Sequence, residues 1–178
     1  MILNNGFHGT IATVPALNDE DKRRLFEWGT DIFGPPGPLK SVQFRPADVH
    51  VLVSENGCAV SHVGLIRHAM NLKAREVVIG GIGAVVTHKQ FQGKGLAARG
   101  MIYAVEYIRN EWHADFGLLF CRDYMIDYYR NLKWRLNENK VIVEQPSGRT
   151  VIAMDTMVME FTEDRWPEEN VELKSLPW

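Results

Sequence analysis

The stretch that most constrains this chain is Val85-Val86-Thr87-His88-Lys89-Gln90-Phe91-Gln92-Gly93-Lys94-Gly95-Leu96-Ala97-Ala98. An apolar, β-branched run ends in a loop with two glycines, and the loop opens directly into a helical segment. Glycine lets the main chain approach a ligand with no Cβ in the way. The first amides of a helix have no internal partner, and the helix dipole makes that end positive. Such a turn is suited to phosphate, so a phosphorylated ligand is expected at residues 92–98.

Around this turn the pattern is mixed. Residues 9–16 read as a strand. Asn18, followed by Asp19, Glu20 and Asp21, reads as a capped helix start. That helix is expected to reach about Ile32 and to bury Leu25, Phe26 and Ile32. Gly34-Pro35-Pro36-Gly37-Pro38 breaks regular structure. Val49 to Val53 reads as a strand, and Asn56-Gly57 is a strong hairpin signal leading into strands at Cys58 to about Met70 and Glu76 to Thr87. Gly80, Gly81 and Gly83 interrupt the last of these, as in a kinked strand, a bulge or a close backbone approach. A helix from Gly93 to about Trp112 carries Ala98, Met101, Ile102, Val105, Ile108 and Trp112 on one face. Phe116 to Cys121 is a short buried strand, and Tyr124 to Leu132 a second helix. Segments 141–143 and 151–154 flank Pro146-Ser147-Gly148 as a closing hairpin. Residues Glu160 to Glu172 hold six acids and one arginine. They are expected to form a solvated, weakly ordered tail, or to attract a cationic substrate.

Composition removes several function classes. Net charge is −2, so nothing points to nucleic acid or an anionic membrane. No apolar stretch approaches the ~18 residues of a membrane span. Cys58 and Cys121 have no metal or redox spacing, so no metal is expected, and both read as buried thiols of a reducing compartment. The N-terminal Met-Ile-Leu-Asn-Asn-Gly has no signal-peptide pattern, so a cytoplasmic location is expected.

Three phosphate-binding motifs compete. Gly93-Lys94-Gly95-Leu96-Ala97-Ala98 formally matches the dinucleotide fingerprint. That fold needs alternating βαβ units and an acid ending the next strand, whereas here antiparallel strands precede the motif and Asp115 begins the next strand. The Walker loop fails, because Gly-Lys-Ser/Thr is absent. The third motif fits. Gln92-Gly93-Lys94-Gly95-Leu96-Ala97 resembles the Gln/Arg-x-x-Gly-x-Gly/Ala signature of the GNAT superfamily of N-acetyltransferases, and Gln90-x-x-Gly93-x-Gly95 is an overlapping frame. Tyr128-Tyr129-Arg130-Asn131-Leu132-Lys133-Trp134 resembles the family's aromatic-Tyr-x-x-x-Gly-Phe/Trp segment, with Lys133 in the glycine position. Val60-Ser61-His62-Val63-Gly64-Leu65-Ile66-Arg67-His68 resembles a strand of aminoglycoside 2'-N-acetyltransferases and nodulation N-acyltransferases. His50-Val51 and Trp178 are similar to the aminoglycoside enzymes too. Those enzymes carry a substrate-binding glutamate where this chain has Gly83.

The resemblance implies a single α/β (α+β) domain over 1–178, with a core at about 9–160 and the acidic tail at about 161–178. Its sheet would be mixed, twisted, mostly antiparallel and flanked by helices. It implies acetyl-CoA as cosubstrate, held by Val85, Val86 and Thr87 along the pantetheine arm and by Gln92, Gly93, Lys94, Gly95, Leu96, Ala97 and Ala98 at the pyrophosphate. The acceptor would be a small-molecule primary amine, aminoglycoside-like in one version, and a homodimer is compatible with the family. Gly83 and Cys121 are the expected substrate-side residues. Tyr129 is the expected acid that protonates the departing thiolate. His50, His62 and His88 are available as bases, with none distinguished, and an acyl-Cys121 route would need an activating partner. A longer acyl donor and a non-catalytic acyl-CoA-binding module are the alternatives.

Overall fold

Hairpins build the first half of the sheet. The computed structural model describes residues 8–178. Strand β1 (Gly9–Val14) pairs antiparallel with β2 (Val49–Glu55), β2 with β3 (Cys58–Leu72), and β3 with β4 (Arg75–Thr87). The turn after β2 places Asn56 and Gly57 at φ 51° and 77°, and the turn after β3 places Lys73 and Ala74 at 48° and 64°. Positive φ at both central residues matches the twist of the flanking strands. Asn-Gly announces the first turn, while Lys73-Ala74 reaches the same geometry with no sequence signal.

Helix α1 (Asp19–Phe26) starts as expected: the Asn18 side chain accepts the Asp21 N–H at 2.8 Å. It ends six residues earlier than expected. The Trp28 indole donates to Leu25 O at 2.9 Å, and the chain turns away through Asp31 at φ 54°. Only Leu25 of the three expected residues is fully buried there.

Helix α2 (Leu96–Asn110) connects β4 to β5 (Phe116–Cys121), and the two strands run parallel. The left-handed Gly93 and Gly95 hold the chain out of helix until Leu96. Its buried face is Leu96, Gly100, Met101, Ala104 and Ile108. Ile102, expected inside, is 55% exposed. The packing seam follows small residues: a Cβ on Gly100 would sit 3.2 Å from methyls of Val53 and Val63.

After β5, a 3-10 turn (Asp123–Met125) precedes α3 (Ile126–Asn131), and β6 (Arg135–Asn137) follows. The closing hairpin joins β7 (Val141–Gln145) to β8 (Gly148–Thr150), while residues 151–154 are not strand. The next strand is β9 (Asp155–Glu160), which lies between β5 and β6, giving the order β1-β2-β3-β4-β5-β9-β6. Only β4 and β5 run parallel in this sheet.

The acidic tail corrects the sequence expectation. Its strand β10 (Val171–Glu172) adds in parallel to β7. Trp166, Val171, Leu173 and Trp178 are buried, and the Trp178 indole donates to Leu118 O at 3.1 Å. Glu163, Asp164, Glu168 and Glu169 face outward. The charge count describes the outer side of this segment; the interspersed aromatic and aliphatic residues drive its docking.

Two cores flank the sheet, and β4 contributes to both by alternation. Val77 and Ile79 join Phe116, Leu118, Trp166 and Trp178 on one face; Ile82 joins Met101, Ile108, Tyr129 and Trp134 on the other. This explains the three glycines of β4. A Cβ at Gly80 would lie 2.6 Å from Ile108 Cδ1, one at Gly81 would collide with the Trp178 indole, and one at Gly83 would lie 2.7 Å from the Trp178 carbonyl carbon.

Candidate active site

β4 ends at Thr87, and a 3-10 turn (Lys89–Phe91) leads into the glycine loop. The Gln92 amide donates from Nε2 to Thr87 O at 3.0 Å, tying the loop back to the strand. Gly93 and Gly95 adopt φ 77° and 72°, and a Cβ on either would meet nothing within 4 Å. Gly95 occupies the N-cap of α2 without a capping side chain. The Arg99 N–H closes the first helical turn, on Gly95 O at 3.1 Å. The Leu96, Ala97 and Ala98 amides therefore precede the helical ladder.

β4 and β5 pair only from Ile79/Phe116 to Ile82/Leu119. Beyond this point β5 leaves the free edge of β4. A cavity of about 1220 Å³ occupies the gap. It is lined by Gly83, Val85, Val86 and Thr87 of β4, by Gln92, Gly93 and Gly95 of the loop, and by Leu96, Ala97 and Ala98 of α2. Cys121, Tyr128 and Tyr129 line it from the β5–α3 side. Lys94 is the exception among the expected residues: it does not line the cavity, and its ammonium lies 4.9 Å from the Phe91 ring centroid.

Burial dominates the ionisation of this wall. The Tyr129 phenol is held above its ordinary range by burial first, with Tyr128 and Cys121 adding to it. Burial pushes Tyr128 up to about 12. Its hydroxyl is buried and has no hydrogen-bond partner among the described residues. The Cys121 thiol is pushed up to about 12 by burial and by the nearby charges of Asp155 and Asp123. A thiol so protected is not a nucleophile near neutrality, which removes the basis for an acyl-Cys121 route. Lys133 takes φ 71°, the left-handed turn a glycine would supply. The Trp134 N–H then returns to Tyr129 O at 3.1 Å.

A family profile described as acetyltransferase (GNAT) domain matches residues 17–136. This chain belongs to that family. The profile identifies the family and not a branch within it, so the aminoglycoside and nodulation likenesses stay resemblances. *Escherichia coli* YhbS, a GNAT family N-acetyltransferase solved in complex with CoA, is 12% identical, with a TM-score of 0.60 over 93% of this chain and 89% of its own. A chain of the NatC complex solved with Gag peptide and CoA is 12% identical, with a TM-score of 0.55 over 85% of this chain and 99% of its own. These two likenesses show the shared fold. A GCN5-related N-acetyltransferase from *Kribbella flavida* is 19% identical over 49% of this chain at a TM-score of 0.45, and the match spans 22% of that protein. No curated protein matches the sequence.

The usual cosubstrate of GNAT acetyltransferases is acetyl-CoA. This chain fits it on two counts: an uncapped helix start beside two open glycines, and an unpaired strand edge in the same cavity. Asp115 is engaged elsewhere. Its carboxylate accepts the Val78 N–H at 2.8 Å and meets Arg75 at 3.1 Å, so it is no ribose ligand of a dinucleotide fold.

Several residues at this GNAT site are not legible in the sequence. The segment after α1 crosses the cavity mouth as a strap. Arg122 pins it by donating to Phe33 O at 3.2 Å and Pro35 O at 2.7 Å. Phe33, Phe44 and Tyr124, which are 46%, 41% and 65% exposed, line the cavity there. The histidines separate clearly. His88 caps the 3-10 turn at the loop, accepting from Gln90 N–H at 3.4 Å. His62 is buried, with Nδ1 2.8 Å from Ala84 O and Nε2 2.9 Å from His50 Nδ1. Among the described residues no helix is long and apolar enough to cross a membrane.

Proposed function

We propose that this acetyltransferase moves the acetyl group of acetyl-CoA directly to the primary amine of a small molecule with an apolar, ring-bearing body. The observation that carries the reading is the single cavity joining the α2 start, the free β4 edge and the two tyrosines. In this reading the Gly93–Ala98 main chain holds the pyrophosphate. Gly83 to Thr87 offer main-chain groups to the pantetheine arm. The glutamate position of the aminoglycoside enzymes, Gly83, has its side-chain space taken by Trp178.

The shape and apolar lining of the cavity support the acceptor class. Among the described lining side chains Asp31 carries a carboxylate, Arg45 is paired with Asp48 at 3.0 Å, and Arg122 donates to main-chain carbonyls. Exposed apolar groups gathered at one cavity mark a ligand surface; here Phe33, Phe44 and Tyr124 gather at the mouth.

The residues then handle charge and protons. When bound, acetyl-CoA supplies the electrophilic thioester carbonyl. Main-chain N–H groups at Val85 to Thr87 face the carbonyl oxygen as charge grows on it. Tyr129 Oη donates to the departing sulfur, and the proton shed by the acetylated nitrogen returns through solvent to restore the phenol. A free thiol near 8.5 would be a poor match for so weak an acid. Burial narrows the gap, because an apolar wall disfavours the thiolate as it disfavours the phenolate. The apolar cavity also favours, as a second reading, a longer acyl donor.

The test is free-thiol release against a panel of arylalkyl monoamines, polyamines and aminoglycosides, with acetyl and octanoyl donors. Ring-bearing monoamines with acetyl-CoA should turn over fastest. Tyr129→Phe should lower kcat by about 10²-fold while leaving CoA affinity intact. Amine-independent background with every acceptor would instead indicate a binding module. Two free thiols, Cys58 and Cys121, fit the reducing cytoplasm proposed as its location.

A further inference from the structure

A histidine pair, His62 buried and His50 half-buried, lies behind the cavity, and the chemistry assigned to the site above does not use it. Its surroundings fix more than its position. Register across β3 and β4 runs from His62↔Val86 to Gly64↔Gly83, so two residues of β3 span three of β4. Ala84 and Val85 together oppose Val63, which makes a bulge in β4. Ala84 sits there at φ 48°. For a residue with a Cβ the left-handed region is strained. The bulge takes the exposed Ala84 out of the ladder register, and its carbonyl takes another donor. His62 Nδ1 supplies it at 2.8 Å.

Proton positions follow from the partners. A carbonyl only accepts, so His62 Nδ1 carries the hydrogen. In a neutral ring Nε2 is then a bare acceptor. It faces His50 Nδ1 at 2.9 Å, so that nitrogen carries the hydrogen and donates. Both rings are thereby held in the Nδ1–H tautomer. The edge of the Phe26 ring packs on His62, with centroids 5.1 Å apart and planes at 77°.

The consequence reaches the cavity through one peptide plane. In a trans peptide, C=O and N–H point in opposite directions, and no cis bond occurs among the described residues. Drawing the Ala84 carbonyl to His62 aims the Val85 N–H the other way, away from His62. We propose that His62, its Nδ1–H committed to Ala84 O and its Nε2 satisfied by His50, is a positioning residue: it holds the β4 bulge open at Ala84 and so aims the Val85 amide at the reacting carbonyl. This rests on the proposed role of the Val85–Thr87 amides.

Two variants and one spectrum test it. His62→Phe keeps the ring and removes the donor, whereas His62→Asn keeps an N–H near the Nδ1 position. The Phe variant should lose about 10- to 100-fold in kcat, with KM for the amine and Kd for CoA within about threefold of the parent. The Asn variant should recover to within about fivefold of the parent. A Phe variant with parental kcat, or an Asn variant as impaired as Phe, overturns the proposal. Long-range ¹H–¹⁵N correlation on the parent protein with labelled histidine reads the tautomers directly and does not depend on variant folding or activity. Nδ1–H on both His50 and His62 supports the proposal, and Nε2–H on His62 overturns it. Parent protein that binds CoA and shows these tautomers but transfers nothing would sink the proposed function and leave the prop standing.

Discussion

Gly95 and Gly57 offer a matched pair for testing the proposed diphosphate grip. Both are left-handed, at φ 72° and 77°, and a Cβ on either meets nothing within 4 Å. Gly57 sits in the β2–β3 turn, and Gly95 lines the cavity at the start of α2. Alanine at either position incurs about 1–2 kcal/mol of left-handed strain, offset by about 0.4–1 kcal/mol from the stiffer unfolded chain. Each variant should therefore lose about 1 kcal/mol, or about 2–4 °C in Tm for a chain of this size. Binding should separate them. The open space at Gly95 adjoins the Leu96–Ala98 amides, so a methyl there enters the volume assigned to the pyrophosphate. Losing one charge-assisted hydrogen bond costs about 1.5–3 kcal/mol, which is about 10- to 100-fold in Kd. Calorimetric titration with CoA, beside thermal unfolding of both variants, reads the two effects independently. The reasoning is refuted if Gly95→Ala binds CoA like the parent while losing the expected stability. It is equally refuted if Gly57→Ala weakens binding as much.

Two further outcomes follow from the same coordinates. Burial holds His62 down to about 4, with the Ala84 carbonyl opposing and His50 assisting the shift, and it lowers His50 with help from Lys22 of α1. Below pH 6.5 the unfolded chain binds protons that the folded chain refuses. Stability should therefore fall as pH drops from about 6.5 to 4, by up to about 3 kcal/mol from His62, and denaturant titrations on His62→Asn should show a flatter acid limb. Lys133→Gly should raise stability by about 0.5 kcal/mol, because the φ 71° turn no longer strains a Cβ; an unchanged or lower denaturation midpoint would contradict this.

What the sequence disclosed was whatever depends on local chemistry. Asn18 with its acids, Asn56-Gly57, the β-branched runs before residue 122 and the glycine loop each determine a few neighbouring dihedrals and appear where expected, whereas residues 151–154 do not form the expected strand. What stayed hidden depends on distant partners. Ile102 has the right spacing for a buried face, yet the seam of α2 is set by Gly100 against Val53 and Val63 on other strands. The tail reads as solvated by charge count, yet Trp178 inserts beside Gly81 on a strand almost a hundred residues away. Three glycines in β4 signal close approach without saying whose. The strap residues Phe33 and Phe44 lie in a segment rich in glycine and proline, where no periodicity marks a wall of the cavity. His62 is indistinguishable from His50 and His88 until the bulge shows which carbonyl it satisfies.

The site exists because one strand is asked to pair on both edges and does so on only one of them beyond Ile82. From Ile79 to Ile82, β4 is bonded on both sides, and its glycines let α2 and Trp178 close in. From Gly83 onward β5 has departed, and the main-chain groups of that edge face the cavity unpaired by the sheet. Buried amides and carbonyls in that condition must find partners in water or ligand. An extended chain of amides, such as the pantetheine arm, satisfies them as another strand would. The helix start ten residues on presents a second set of unpaired donors whose positive end suits phosphate. A ligand matching both needs an amide-bearing arm ending in a diphosphate, and the distance between Val85 and Leu96 along the cavity wall sets how the two ends of it must be joined. Shortening that joint by deleting one residue from Lys89–Phe91 should keep the sheet folded and abolish simultaneous engagement. Pantetheine fragments and nucleotide diphosphates would then each bind about as before, while intact CoA would lose its advantage over either. If CoA kept that advantage, the two-ended grip would be wrong.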